Sequence, residues 1–199
     1  MNKGSLFIVT GPSGAGKGAV LGGLQRNIDN VFYSVSATTR LPRPGEVDGV
    51  NYYFLTRERF QEMIANGELL EHAEYVGNYY GTPEGPVNDM LAEGKDVILE
   101  IEVQGALIVK EKRPDAILVF IAPPSFEVLE SRLRGRGTER TRLLPCVWKR
   151  REASVPIWTA TTILLLTICW MIPSIIWHPS FVPPVAAAKT LIFVWCNFR

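Results

Sequence analysis

Leu6-Phe7-Ile8-Val9-Thr10-Gly11-Pro12-Ser13-Gly14-Ala15-Gly16-Lys17-Gly18-Ala19-Val20-Leu21 decides the fold. Leu6–Val9 is a short apolar run ended by Gly11, the pattern of a strand buried in a parallel sheet. Gly11 to Lys17 fits G-x-x-x-x-G-K. Ala19 to Gln25 predicts the start of a helix, although Gly22 and Gly23 each cost about 1 kcal/mol there relative to alanine. Strand, glycine-rich turn and helix, in that order, form a phosphate cradle. The glycines let main-chain N–H groups turn inward, and the helix adds its positive end. Lys17 supplies a compact charge for the β- and γ-phosphates of a nucleoside triphosphate.

Further along, Tyr33 to Ala37 and Tyr52 to Leu55 read as short strands around the loop Arg40-Leu41-Pro42-Arg43-Pro44-Gly45. Thr56 can cap a helix carrying Phe60, Met63 and Ile64, with Gly67 as its stop. Val87, Met90 and Leu91 mark another helix, ending near Gly94. Val97–Ile101 is a strand with acid at its end, Glu100 and Glu102. Ile117–Ile121 is a third buried strand, stopped by Pro123-Pro124, after which Ser125 caps a helix with Phe126, Leu129 and Leu133. Strands alternating with helices predict an α/β fold with a parallel sheet covered on both faces. Tyr33–Gly81 is polar and strand-rich, so it reads as an inserted subdomain rather than a βαβ unit.

A length of 199 residues suits one such domain, or a core with two small excursions. The formal charge of +1 gives no global field for nucleic acid or a membrane surface. Three cysteines without C-x-x-C spacing, and an apolar start too short for a secretory leader, predict a reduced, cytoplasmic protein.

Specific chemistry comes from an ordered series. Ser36-Ala37-Thr38-Thr39-Arg40, Pro42-Arg43-Pro44-Gly45-Glu46, Asn51-Tyr52-Tyr53-Phe54, Glu71-His72-Ala73-Glu74, Gly77-Asn78-Tyr79-Tyr80-Gly81-Thr82 and Glu100-Ile101-Glu102-Val103-Gln104-Gly105 follow the phosphate loop. Together they closely resemble guanylate kinases, over residues 4–139. The resemblance implies a P-loop NTPase fold: a core of 4–32 and 83–124, a GMP-binding insertion of 33–82, and the start of a lid at 125–139. It implies ATP, bound with Mg²⁺, held by Gly11, Pro12, Ser13, Gly14, Ala15, Gly16, Lys17 and Gly18. Arg40 and Arg43 would grip the GMP phosphate with the Tyr52 and Tyr80 hydroxyls, because guanidinium forks match phosphate oxygens. Ser36, Glu71, Thr82 and Glu102 would read the guanine, whose N1–H and 2-amino donors suit a carboxylate and are absent from adenine. Glu100 would approach Mg²⁺ through water, and Lys17, Arg132 and Arg136 would stabilise the transferring phosphoryl group. Many nucleoside monophosphate kinases carry Gly then Thr after the lysine. Here Gly18 is followed by Ala19, which removes a hydroxyl and predicts weaker nucleotide handling. A partner-binding module of the same family is the alternative reading, with GMP and ATP binding as the discriminator.

Residues 140–199 do not continue the pattern. Ala153 to Ala188 holds no Asp, Glu, Lys or Arg. Val155–Trp177 behind Lys149-Arg150-Arg151 has the look of a membrane segment, but Pro156 and Pro173 interrupt it. A shifted reading frame accounts for more. From the third base of the Trp158 codon, the codons through Met171 permit D-x-Y-D-Y-I-V-V-N-D-x-L-D, a strand entering the Asn-Asp motif that the family places beside adenine. Such a tail predicts a truncated or inactive kinase, since it loses core burial. Sequencing the gene across the codons for Arg136–Arg142 is expected to reveal an inserted or deleted base. One intact frame matching relatives through Arg199 would refute the shift.

Overall fold

The computed structural model describes residues 3–26, 28–123, 126–135, 163–169 and 190–196. They divide into two compact units: Met1–Ile8, Asn30–Glu100 and Gln104–Ala116 in the first, and Val9–Asp29, Ile101–Val103 and Ile117–Arg199 in the second.

The first unit holds the start of β1 (Leu6–Thr10), then β2 (Val31–Tyr33), β3 (Ala37–Thr38) and β4 (Tyr53–Phe54). After these come α2 (Arg57–Ala65), β5 (Leu69–Tyr75), β6 (Asn78–Pro83), α3 (Glu84–Ala92), β7 (Asp96–Glu100) and α4 (Val103–Lys112). Its parallel part pairs β2 with β7, Phe32 opposite Val97. Val97 N–H also donates to the Ser5 carbonyl at 2.9 Å. Val87, Leu91, Val97, Leu99 and Val109 are buried, as expected for strands and helices packing apolar faces together.

A separate four-stranded sheet in this unit runs β4-β3-β6-β5. Its Ala37 and Leu69 form a buried cluster with Phe60 and Met63 of α2, against which Tyr53, Leu55, Ile64 and Tyr79 pack. Phe60 stacks on Tyr79 with centroids 5.4 Å apart. The expected helix is capped as read: Thr56 Oγ1 accepts from Arg59 N–H at 3.2 Å, and Gly67 stops it at φ 68°. One expected strand is instead two. Tyr33–Ala37 splits because Ser34 N–H donates to Ile98 O in the parallel ladder, whereas Ala37 pairs with Gly81 in the other sheet.

In the second unit, β1 ends, α1 (Lys17–Gln25) buries Val20 and Leu21, and β8 (Ile117–Ala122) is apolar throughout. α5 spans Phe126–Gly135. β9 (Ile163–Cys169) pairs in parallel with β8, Val119 opposite Ile163, and β10 (Thr190–Cys196) pairs in parallel with β9. The parallel α/β class is therefore borne out. Ser125, Arg136, and the tail outside β9 and β10 lie outside the described residues.

The β5–β6 turn carries a local conflict. Val76 adopts φ 49° and Gly77 φ 72°, the left-handed pair of a two-residue hairpin that favours Asn-Gly. A β-branched residue is poorly suited to that region, and Val76 is 79% exposed, so packing does not hold it there. Val76→Asn is expected to stabilise the protein by about 0.5–1 kcal/mol, read as a higher urea midpoint at unchanged m-value.

Candidate active site

In the second unit, the turn after β1 is shaped by backbone proximity. Gly11 has φ 153°, and a Cβ there would stand 2.1 Å from the Ile121 carbonyl oxygen of β8. Only glycine allows the loop to cross the strand end so closely. Gly16, at φ 100°, is the residue before α1, and the Ala19 and Val20 amides donate to its carbonyl. Lys17 folds back over the loop, its Nζ donating to Gly11 O at 2.8 Å and Pro12 O at 3.3 Å. Arg132, from α5, reaches the same loop, with Nη1 donating to Ala15 O at 3.1 Å and Gly14 O at 3.4 Å. Two predicted charges thus converge on one glycine-rich turn. Glu102, in the same unit, is exposed.

In the first unit, Arg40 is the hub of a cluster of aromatic rings and one carboxylate. Its guanidinium lies 5.4 Å from the Tyr52 ring centroid and 5.7 Å from that of Phe54. The Tyr52 and Tyr80 rings meet edge-on at 6.2 Å. Burial raises the Tyr52 phenol pKa, so the hydroxyl stays a neutral donor. Tyr80 and Thr82 are two apart on β6 and therefore face the same way. Thr82 Oγ1 donates to Glu71 Oε1 at 2.8 Å, and Glu71 is only 9% exposed. Ser36 sits in the β2–β3 link, its carbonyl accepting from Tyr53 N–H at 2.9 Å. Glu100 ends β7 and is exposed. Arg40, Tyr52 and Tyr80 are brought together, as are Glu71 and Thr82.

Sequence reasoning left one residue without a role. Glu46 forks with Arg40, Oε2 to Nη1 and Oε1 to Nη2, both at 2.9 Å, and also accepts from the Arg43 amide at 2.7 Å. It fixes Arg40 and closes the Pro-rich loop that carries Arg43. An acid among arginines in one short loop was the available signal.

The guanylate kinase family profile matches residues 3–154. The chain belongs to the guanylate kinase family. Guanylate kinase of Lactococcus lactis is 59% identical over 142 residues, 71% of this chain and 69% of that protein. Guanylate kinase of Carboxydothermus hydrogenoformans is 54% identical over 144 residues, covering 72% and 71% of the respective chains. A crystal structure of guanylate kinase from Anaplasma phagocytophilum superposes with a TM-score of 0.61 at 31% identity, covering 83% of this chain and 78% of that one. These relatives support an ATP:GMP phosphotransferase on an α/β P-loop fold, and they do not favour a partner-binding module.

The Glu46 clamp has a pH signature. The hydrogen bond from Arg40, then that from the Arg43 amide, hold its carboxyl down at about 2 from an ordinary 4.5. A depressed carboxylate keeps its pairing above the ordinary value and loses it as pH falls through the native one. Arg40 should therefore stay clamped across the neutral range. Carboxyl NMR titration is expected to give Glu46 a midpoint near 2, and one near 4.5 would show the clamp open in solution.

Proposed function

We propose that the first unit binds GMP, that the second binds ATP, and that the protein transfers the γ-phosphoryl group from ATP to GMP in the cytoplasm. The observation that carries the reading is the buried Glu71–Thr82 pair across β5 and β6, with Thr82 on the strand whose Tyr80 stands beside Arg40. A buried carboxylate held by a hydroxyl is suited to the N1–H and 2-amino donors of guanine. A base lacking them would leave it poorly satisfied. Ser36 and Glu102 complete the base-reading set. Arg40, Arg43, Tyr52 and Tyr80 take the acceptor phosphate, with Glu46 holding the Arg40 plane.

On the donor side, Gly11 to Gly18 would wrap the triphosphate with main-chain amides. Lys17 would exchange its carbonyl partners for phosphate oxygens. Arg132, and Arg136 beyond the described residues, would offset charge on the transferring group. Phosphoryl transfer depends more on positioned charge than on a proton acceptor, so no side chain is assigned as general base. Mg²⁺ bound with ATP would supply charge neutralisation for the phosphates. The exposed Glu100 carboxylate at the end of β7 is a hard oxygen donor that fits it through water. No helix among the described residues is long and apolar enough to cross a membrane.

A coupled assay comparing GMP with AMP, CMP and UMP tests the assignment. GMP is expected to dominate. Lys17→Met should lower kcat/KM by on the order of a hundred- to a thousandfold. Arg40→Ala should raise the KM for GMP by roughly ten- to a hundredfold while leaving that for ATP unchanged. Equal use of AMP would overturn the base-reading role of Glu71.

A further inference from the structure

Glu71 is enclosed on several sides, and two of the walls are glycines. A Cβ on Gly81 would stand 2.8 Å from the Glu71 carbonyl oxygen. A Cβ on Gly105 would stand 2.7 Å from Glu71 Oε2, 3.1 Å from Cδ and 3.3 Å from Cγ. The other carboxylate oxygen, Oε1, is engaged by Thr82. Gly105 is buried in the first turn of α4, the helix end whose backbone dipole favours a negative charge. Seven residues on, and so on the same face of the helix, Lys112 Nζ donates to Leu70 O at 2.8 Å and Leu69 O at 3.2 Å. α4 is thereby fastened to β5 beside Glu71, and the carboxylate has little room to retreat from anything added at position 105.

We propose that Gly105 is a specificity-determining positioning residue: the missing side chain lets the first turn of α4 lie against the Glu71 carboxylate and hold it in the orientation that reads guanine. This rests on the base-reading role given to Glu71 above. An alanine at this helical position is favourable for the backbone itself. Its cost falls on the carboxylate, which must rotate away from Thr82. The consequence is read in nucleotide selectivity rather than in the phosphate machinery.

The test uses the full chain, with GMP binding by calorimetry and steady-state kinetics on GMP and on inosine monophosphate, which lacks the 2-amino group. Gly105→Ala is expected to raise the Kd and KM for GMP by on the order of tenfold or more. It should narrow the preference for GMP over inosine monophosphate, with the KM for ATP and kcat little changed. Adding Glu71→Asp, one methylene shorter, should recover part of the loss, so that the two changes are non-additive. If Gly105→Ala alone does not fold, the double variant decides: recovery of fold and GMP affinity supports the proposal, and none overturns it. If Glu71→Gln weakens GMP binding but Gly105→Ala leaves it within twofold, the proposal falls while the base-reading role stands. If Glu71→Gln also leaves GMP binding unchanged, the base-reading role falls and takes the proposal with it.

Discussion

A carboxylate cannot be buried without a partner, and that constraint organises the first unit of this molecule. Glu71 is nearly enclosed, and Thr82 supplies its hydroxyl from the neighbouring strand. The pair fixes the β5–β6 register, in which Ala73 opposes Tyr80 and Tyr75 opposes Asn78. A slip by one residue would turn Thr82 and Tyr80 to the other face, where Gly81 now admits Phe60. From Tyr80 the register passes to Thr38 on β3, whose hydroxyl accepts from the Arg40 amide. One buried contact thereby sets where Thr82, Tyr80 and Arg40 stand about a single sheet.

The second unit solves a different problem with different means. The glycine-rich turn there is shaped by how closely backbones approach rather than by side-chain pairing. Gly11 passes the Ile121 carbonyl at a distance that no other residue permits. Lys17 and Arg132 both donate to carbonyls of the same loop. Those bonds hold the two cations in place, so positive charge is gathered over one loop. Preorganised charge of this kind contributes most to transferring a group that offers little covalent chemistry to the protein.

Among the described residues, the tail joins this frame by strand pairing. Ile163–Cys169 extends the parallel ladder from β8, and Thr190–Cys196 extends it again. The shifted frame expected over these codons also reads as an apolar, β-branched run through Tyr-Ile-Val-Val. Codons with thymine in the middle encode apolar residues, and leucine codons that begin with thymine carry that bias into the neighbouring frame. Hydrophobic pairing with β8 is therefore available to either peptide. The charged Asn-Asp end is what the frames do not share, and it belongs to only one of them.

What was legible in the sequence was information held in contiguous residues. The phosphate loop, the Thr56 cap, the Gly67 stop and the buried strand at Ile117 each declare themselves within a few positions. What was not legible depended on distant residues meeting. The split of Tyr33–Ala37 between two sheets turns on Ile98 and Gly81, neither of which a local pattern can weigh. α4 has a glycine in its first turn, which propensity counts against a helix; its contact with Glu71 lies on another element. Glu46 sits between these cases. It is near Arg40 in sequence, yet a fork needs the loop to double back, and that reversal is itself held by Glu46 accepting from the Arg43 amide. The acid makes the turn that brings it to the arginine, so cause and consequence are one residue and could be read only once the loop was closed.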